Sequence, residues 1–127
     1  MNVLMDTHAW IEYFLGSAQG AKVKSLLDNK ANVIYTAELS FAELWDWSER
    51  HDANFDQILH VVNSRSTVMP IVASTWIEGA RMRHERRKHM KDFGLMDALL
   101  LAIHASLGGK MVSGDPHFKG LPGVVFL

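Results

Sequence analysis

Four carboxylates stand where short apolar strands give way to helices: Asp6 after Val3-Leu4-Met5, Glu43 in Ser40-Phe41-Ala42-Glu43, Asp97 before Ala98-Leu99-Leu100, and Asp115 after Met111-Val112-Ser113-Gly114. Gathered by the fold, they make a divalent-metal site. Hard oxygen anions suit Mg2+ or Mn2+ in octahedral arrangement, and such ions commonly serve phosphoryl chemistry. Each acid also has an ordinary role. Asp6 and Asp97 can be the N-caps of the helices that follow them, Glu43 the N3 partner of Ser40 in a capping box, and Asp115 the start of a turn before Pro116. Taken together the ordinary roles weaken, because helix N-termini favour negative charge and a cation is required to offset the mutual repulsion of several carboxylates.

The elements that must position these acids alternate along the chain. Residues 3–6 read as an apolar strand, followed by a helix over Thr7–Leu15 with Trp10, Ile11, Phe14 and Leu15 on one face and Gly16 as its stop. A helix over 18–28 leads to a strand at Asn32–Tyr35, and another helix begins at Ser40 with a stripe of Phe41, Leu44, Trp45 and Ser48. A helix near Phe55–Val62 precedes a strand at Val68–Ile71, and Thr75-Trp76-Ile77-Glu78 reads as a capping box opening a longer helix. Ala98–Leu107 is apolar almost all round, as a buried helix should be, with Gly108-Gly109 as its end and short strands at 110–113 and 123–126. Such alternation implies right-handed crossovers and a parallel sheet covered on both faces, a three-layer α/β/α domain. Ligands in such sheets bind at the carboxyl ends of the strands, where Asp6 and Asp115 fall. Glu43 and Asp97 complete the cluster if their helices aim N-termini at the same crevice.

At 127 residues without a cysteine, the chain is expected to be a single domain, 1–127, without disulfides or a thiolate zinc site, which suits the cytoplasm. Met1–Asp6 lacks a basic n-region and reads as a strand in place of a signal peptide, and no segment is long enough to span a membrane. The formal net charge of −1 gives no global push toward a polyanion. Local charge says more: Arg81–Lys91 holds six Lys or Arg against one Glu, either a solvated helix face or a phosphate-binding rim beside an acidic centre.

The segments Val3–Trp10, Ser40–Leu44, Gly94–Ala102 and Met111–Phe118 occur in an order and spacing that resemble a PIN-domain ribonuclease, and most of all the compact VapC toxins of type II toxin-antitoxin pairs. The resemblance covers essentially the whole chain and implies a PIN-like fold with a five-stranded, mainly parallel sheet. By it, Asp6, Glu43, Asp97 and Asp115 form the catalytic and metal-binding quartet for one or two Mg2+ or Mn2+ ions. Ser113 takes the place of the hydroxyl two positions before the last acid, and Thr7 is a second supporting residue. The implied activity is metal-dependent hydrolysis of an RNA phosphodiester, leaving 5'-phosphate and 3'-hydroxyl ends. The implied partners are RNA, a cognate VapB-like antitoxin and a second copy in a homodimer. Arg81, Arg86 and Arg87 are the candidates for the RNA backbone.

Several residues depart from the pattern or stand beside it. His8 occupies a place usually given to a small residue; it either packs or assists substrate or metal. His117 either caps a turn or assists in the same way, and His104 lies two turns beyond Asp97, too far along the helix to share an ion easily. Asp46, Glu49 and Asp92 are stand-ins for the quartet. Trp45 and Trp47 are neighbours on one helix and cannot face the same way, which leaves one for a partner such as an antitoxin helix. A receiver domain would need an acid pair after the first strand and a Lys after the Ser113 strand. A haloacid-dehalogenase-type phosphatase would need Asp where His8 stands. Other readings are a PIN nuclease for RNA processing or structured DNA, and a non-catalytic metal-binding signalling or RNA-binding domain.

Overall fold

A computed structural model describes residues 1–127. Strand β1 (Asn2–Met5) lies at the centre of a five-stranded, wholly parallel sheet in the order β3-β2-β1-β4-β5, with β2 at Val33–Ala37, β3 at Thr67–Met69, β4 at Lys110–Ser113 and β5 at Val124–Phe126. Val3, Leu4 and Met5 are all at most 1% exposed, so β1 is covered on both faces, which is why its sequence is a continuous apolar run. Side chains alternate across it. Val3 and Met5 pack with Trp10, Val23, Leu44, Ile58 and Val62 on one face; Leu4 packs with Phe93, Leu100, Leu101, Met111 and Phe118 on the other.

The first face is covered by α1 (Thr7–Leu15), α2 (Ala18–Asp28), α3 (Leu39–Arg50) and α4 (Phe55–Arg65); the second by α5 (Ala73–Arg86) and α6 (Leu95–Leu107). This is the expected three-layer α/β/α arrangement. No helix is long and apolar enough to cross a membrane. In α6 the residues Ala98–Ile103 are all buried, in keeping with their nearly unbroken apolar sequence. Trp10 is fully buried and its indole N–H donates to Thr36 Oγ1 at 3.0 Å, which ties α1 to β2.

Differences from the expected boundaries have local causes. β2 runs on to Ala37, because Thr36 and Ala37 pair with Val68 and Met69. β3 stops at Met69, since Pro70 has no N–H for a ladder. The Thr75–Glu78 capping box does not form: α5 begins earlier, at Ala73 with Val72 as N-cap, and Glu78 pairs instead with Arg81 at 3.0 and 2.5 Å. The Ser40–Glu43 box is likewise absent, because Glu38 is the N-cap of α3 and its carboxylate accepts from the Ile71 N–H at 2.9 Å. Leu15 and Trp45, each placed on an apolar stripe, are exposed, at the margin of the faces that α1 and α3 bury. Gly16 ends α1 in the left-handed conformation, φ 65°, as its position suggests.

Candidate metal centre

The sheet reverses direction of growth at β1, with β2 on one side and β4 on the other, and the crevice beyond the carboxyl ends of these strands is where an open α/β sheet binds ligands. Here a cleft of about 940 Å³ opens, and Asp6, Glu43, Asp97 and Asp115 all line it. Four different elements supply them.

Asp6 follows β1 and is the N-cap of α1, its Oδ1 accepting from the Ala9 N–H at 2.8 Å. At 3% exposure it is the most deeply set of the four, and burial pushes its carboxyl up from 3.8 to about 6, with the Ser113 hydroxyl and Ala9 N–H opposing the rise. Glu43 projects from the first turns of α3. The capping box that fails to form leaves its carboxylate to Thr7, whose hydroxyl donates to Oε1 at 2.6 Å while lying 3.1 Å from the Ser40 hydroxyl. Desolvation raises the Glu43 carboxyl too, against the pull of Thr7, and the charges of Asp97 and Asp115 add to the rise. Asp97 is the N3 residue of α6 with Gly94 as N-cap, so it sits one turn deeper than an N-cap would; its Oδ2 accepts from the Gly94 N–H at 3.1 Å. Burial raises it as well, followed by the charge of Asp115.

Asp115 caps the 3-10 turn at Pro116–Phe118. Its backbone N–H donates to Ser113 Oγ at 3.0 Å, so the fully buried Ser113 holds both strand-end acids in register. Asp115 Oδ1 faces two nitrogens of one residue, the His117 backbone N–H at 2.9 Å and the ring Nδ1 at 2.7 Å. The other ring nitrogen, Nε2, lies 2.9 Å from Asp92 Oδ2. Asp115 and then Asp92 hold the His117 imidazole above its ordinary range. One ligand atom each from Asp97, Asp115 and His117 falls within 4.8 Å of the others.

The residues fit a divalent cation. Three of the four acids resist ionisation, and Arg50, the one Lys or Arg in the cleft wall, is engaged by Asp46 at 3.0 Å. Carboxylates that share one cleft with no free lysine or arginine form a donor set that suits an ion of high charge.

His8 and Asp46 line the same cleft, whereas Glu49 and His104 do not, the latter binding the Gly109 carbonyl at 3.1 Å. Arg81, Arg86 and Arg87 are outside the cleft wall; Arg81 is held by Glu78, Arg87 donates to the Phe93 carbonyl at 2.9 Å, and Arg86 is exposed. Trp47 and Trp76 add an apolar wall with Ile71 and Met96. The sequence left His117 open between a turn and the site; the structure sets its ring against Asp115.

Solved structures of two VapBC complexes and of one VapC toxin share this fold. VapBC2 of Rickettsia felis bound to a promoter DNA fragment aligns with 16% identity and TM-score 0.73, over 100% of this chain and 98% of that one. DNA-bound VapBC of Salmonella typhimurium gives 20% identity and TM-score 0.72, over 100% and 97%. VapC20 of Mycobacterium tuberculosis, a sarcin-ricin loop cleaving toxin, gives 17% identity and TM-score 0.68, over 86% of each. A comparison with curated proteins finds no match. The PIN domain family profile matches residues 3–124, and with all four acids inside that span the chain belongs to the PIN domain family.

Proposed function

We propose that this chain is a divalent-metal-dependent endoribonuclease, the toxin of a VapBC-type pair, acting in the cytoplasm as a homodimer and silenced by a cognate antitoxin. The observation that carries the reading is the convergence of Asp6, Glu43, Asp97 and Asp115 on one cleft in which no free Lys or Arg offsets their charge. Asp6, Asp97 and Asp115 would hold one or two Mg2+ or Mn2+ ions, with Glu43 completing the site directly or through water. A bound ion supplies Lewis-acid polarisation of the scissile phosphate and an activated water at neutral pH.

The chain's own residues do the positioning. Thr7 fixes the Glu43 carboxylate, the Gly94 N–H turns Asp97, and Ser113 sets Asp115 against Asp6. The strand-end location of the deepest acid limits access of bulk water to it. RNA would approach across the exposed part of the basic segment, with Arg86 the least encumbered of its arginines. The apolar wall of Ile71, Trp47, Trp76 and Met96 suits an antitoxin helix that lays its apolar face there and places a basic side chain among the acids. The VapBC structures of similar fold support this choice of partner.

The test is to incubate purified protein, freed of any co-purifying partner, with total cellular RNA in Mg2+, in Mn2+ and in chelator, beside Asp97→Asn, and to map fragment ends. Discrete metal-dependent cuts bearing 5'-phosphates and absent in Asp97→Asn are expected. A folded protein that cuts no RNA with either ion would sink the ribonuclease reading.

A further inference from the structure

His117 projects its two ring nitrogens in opposite directions onto carboxylates. Nδ1 points to the acids of the cleft, 2.7 Å from Asp115 Oδ1 and 3.9 Å from Asp97 Oδ2, while Nε2 is 2.9 Å from Asp92 Oδ2 on the segment joining α5 to α6. A ligating histidine is ordinarily held in this way: one nitrogen faces the ion, and the other donates to an outer carboxylate that fixes the tautomer and the ring plane. Phe93 and Phe118 restrain the ring and its backbone further. Phe93 is fully buried with its ring edge-on to His117 at 6.0 Å, and Phe118, 1% exposed, anchors the same turn. The imidazole is therefore fixed from behind, from the side and along its backbone. Asp92, exposed as it is, has His117 as its side-chain partner.

We infer that the metal centre is a mixed carboxylate–imidazole site, in which His117 Nδ1 is a direct ligand beside Asp97 and Asp115 and Asp92 is the positioning residue that presents it. The inference rests on the metal-dependent reading above and deepens it. An imidazole nitrogen among carboxylates has a consequence for ion choice, because nitrogen donors favour Mn2+ and the later transition ions over Mg2+, which prefers oxygen. His117 thus favours Mn2+ over Mg2+ in this chain.

The test needs no RNA. Mn2+ is added to the full-length, metal-stripped protein, and pulsed electron paramagnetic resonance reads whether a 14N nucleus is coupled to the ion as in a bound imidazole; calorimetry compares Mn2+ with Mg2+. The wild type should show the 14N coupling, His117→Gln should lose it, and His8→Gln, which alters the histidine in the cleft wall, should keep it. His117→Gln should weaken Mn2+ on the order of 10–100-fold and Mg2+ much less, narrowing the preference, while Asp92→Asn should retain the coupling with affinity reduced on the order of 10-fold. Mn2+ bound by the wild type without 14N coupling would overturn the inference and leave the four-acid metal site standing, an outcome independent of whether any variant folds. Coupling lost in His8→Gln and kept in His117→Gln would assign the ligand elsewhere and overturn it equally. Absence of Mn2+ binding would remove this inference, and absence of Mg2+ binding as well would remove the metal-dependent reading with it.

Discussion

Asp6 serves the fold and the site with the same carboxylate, and the two demands conflict. As N-cap it satisfies the Ala9 N–H; as a buried anion it costs stability, which is why its carboxyl rises from 3.8 to about 6. The folded chain holds this proton more tightly than the unfolded chain does. The stability attached to it is complete below about pH 3.8 and is lost as the pH rises through about 6. Asp6→Asn removes the ionisation and keeps an oxygen for the cap. In chelator the variant should exceed the parent by about 1–3 kcal/mol near neutral pH, the gap closing as the pH falls from 6 toward 4, as read from urea midpoints across that range. A gap that stays constant with pH would show that Asp6 is not the group responsible. Saturating Mn2+ should reverse the order, since only the parent keeps the anion. Thr7→Val makes a cleaner separation of fold from function: it deletes the 2.6 Å bond to Glu43 on a half-buried surface, so the melting temperature should move by a few degrees at most. RNA cleavage should fall on the order of 10–100-fold, by analogy with residues that orient metal-bound carboxylates, and Thr7→Ser should restore it.

The helices that carry these residues are set by close contacts as much as by periodicity. Gly20 in α2 is one such contact: a Cβ there would stand 2.1 Å from the Glu12 carbonyl oxygen of α1, a backbone atom that cannot step aside. Gly20→Ala would improve helix propensity by about 1 kcal/mol in isolation, but separating α1 from α2 should cost more, and a net destabilisation of about 1–3 kcal/mol is expected in denaturant melts. A stabilised variant would refute that packing. The same contrast separates what could be read in the sequence from what could not. Val3-Leu4-Met5 and Ala98–Ile103 were legible, because burial on both sides demands unbroken apolar runs in a strand and in a helix alike. Asp6 and Asp115 were legible through their strands. Thr75–Glu78 and Ser40–Glu43 misled, since each matches a capping box by spacing while the chain enters its helix earlier, and spacing carries no information about where a loop ends. The Asp92–His117 contact was invisible for another reason: it joins residues on separate loops that only the docking of α6 against the sheet brings together.

At the scale of the whole molecule the charge is almost balanced, with 13 Lys and Arg against 14 Asp and Glu, so attraction to a polyanion must come from asymmetry. The acids concentrate in the cleft, whereas Arg86, Lys88 and Lys91 are exposed on the end of α5 and the segment that follows. That segment leads directly to Asp92, which is bonded to His117, so the basic strip and the acidic centre are joined within a few residues. A polyanion laid along the strip would be delivered to the acids without having to bind them first. Its affinity should then depend steeply on salt, with a slope of log K against log salt of about −0.7 for each phosphate contacted on a single strand. Measured on Asp97→Asn, to prevent cleavage, Arg86→Ala should weaken binding of a single-stranded RNA and reduce the slope by about one contact. Arg81→Ala should change it little, because Arg81 is already held in two contacts by Glu78. Equal losses at the two positions would show that the strip acts through its bulk charge. Loss at Arg81 alone would move the RNA path to the opposite side of α5.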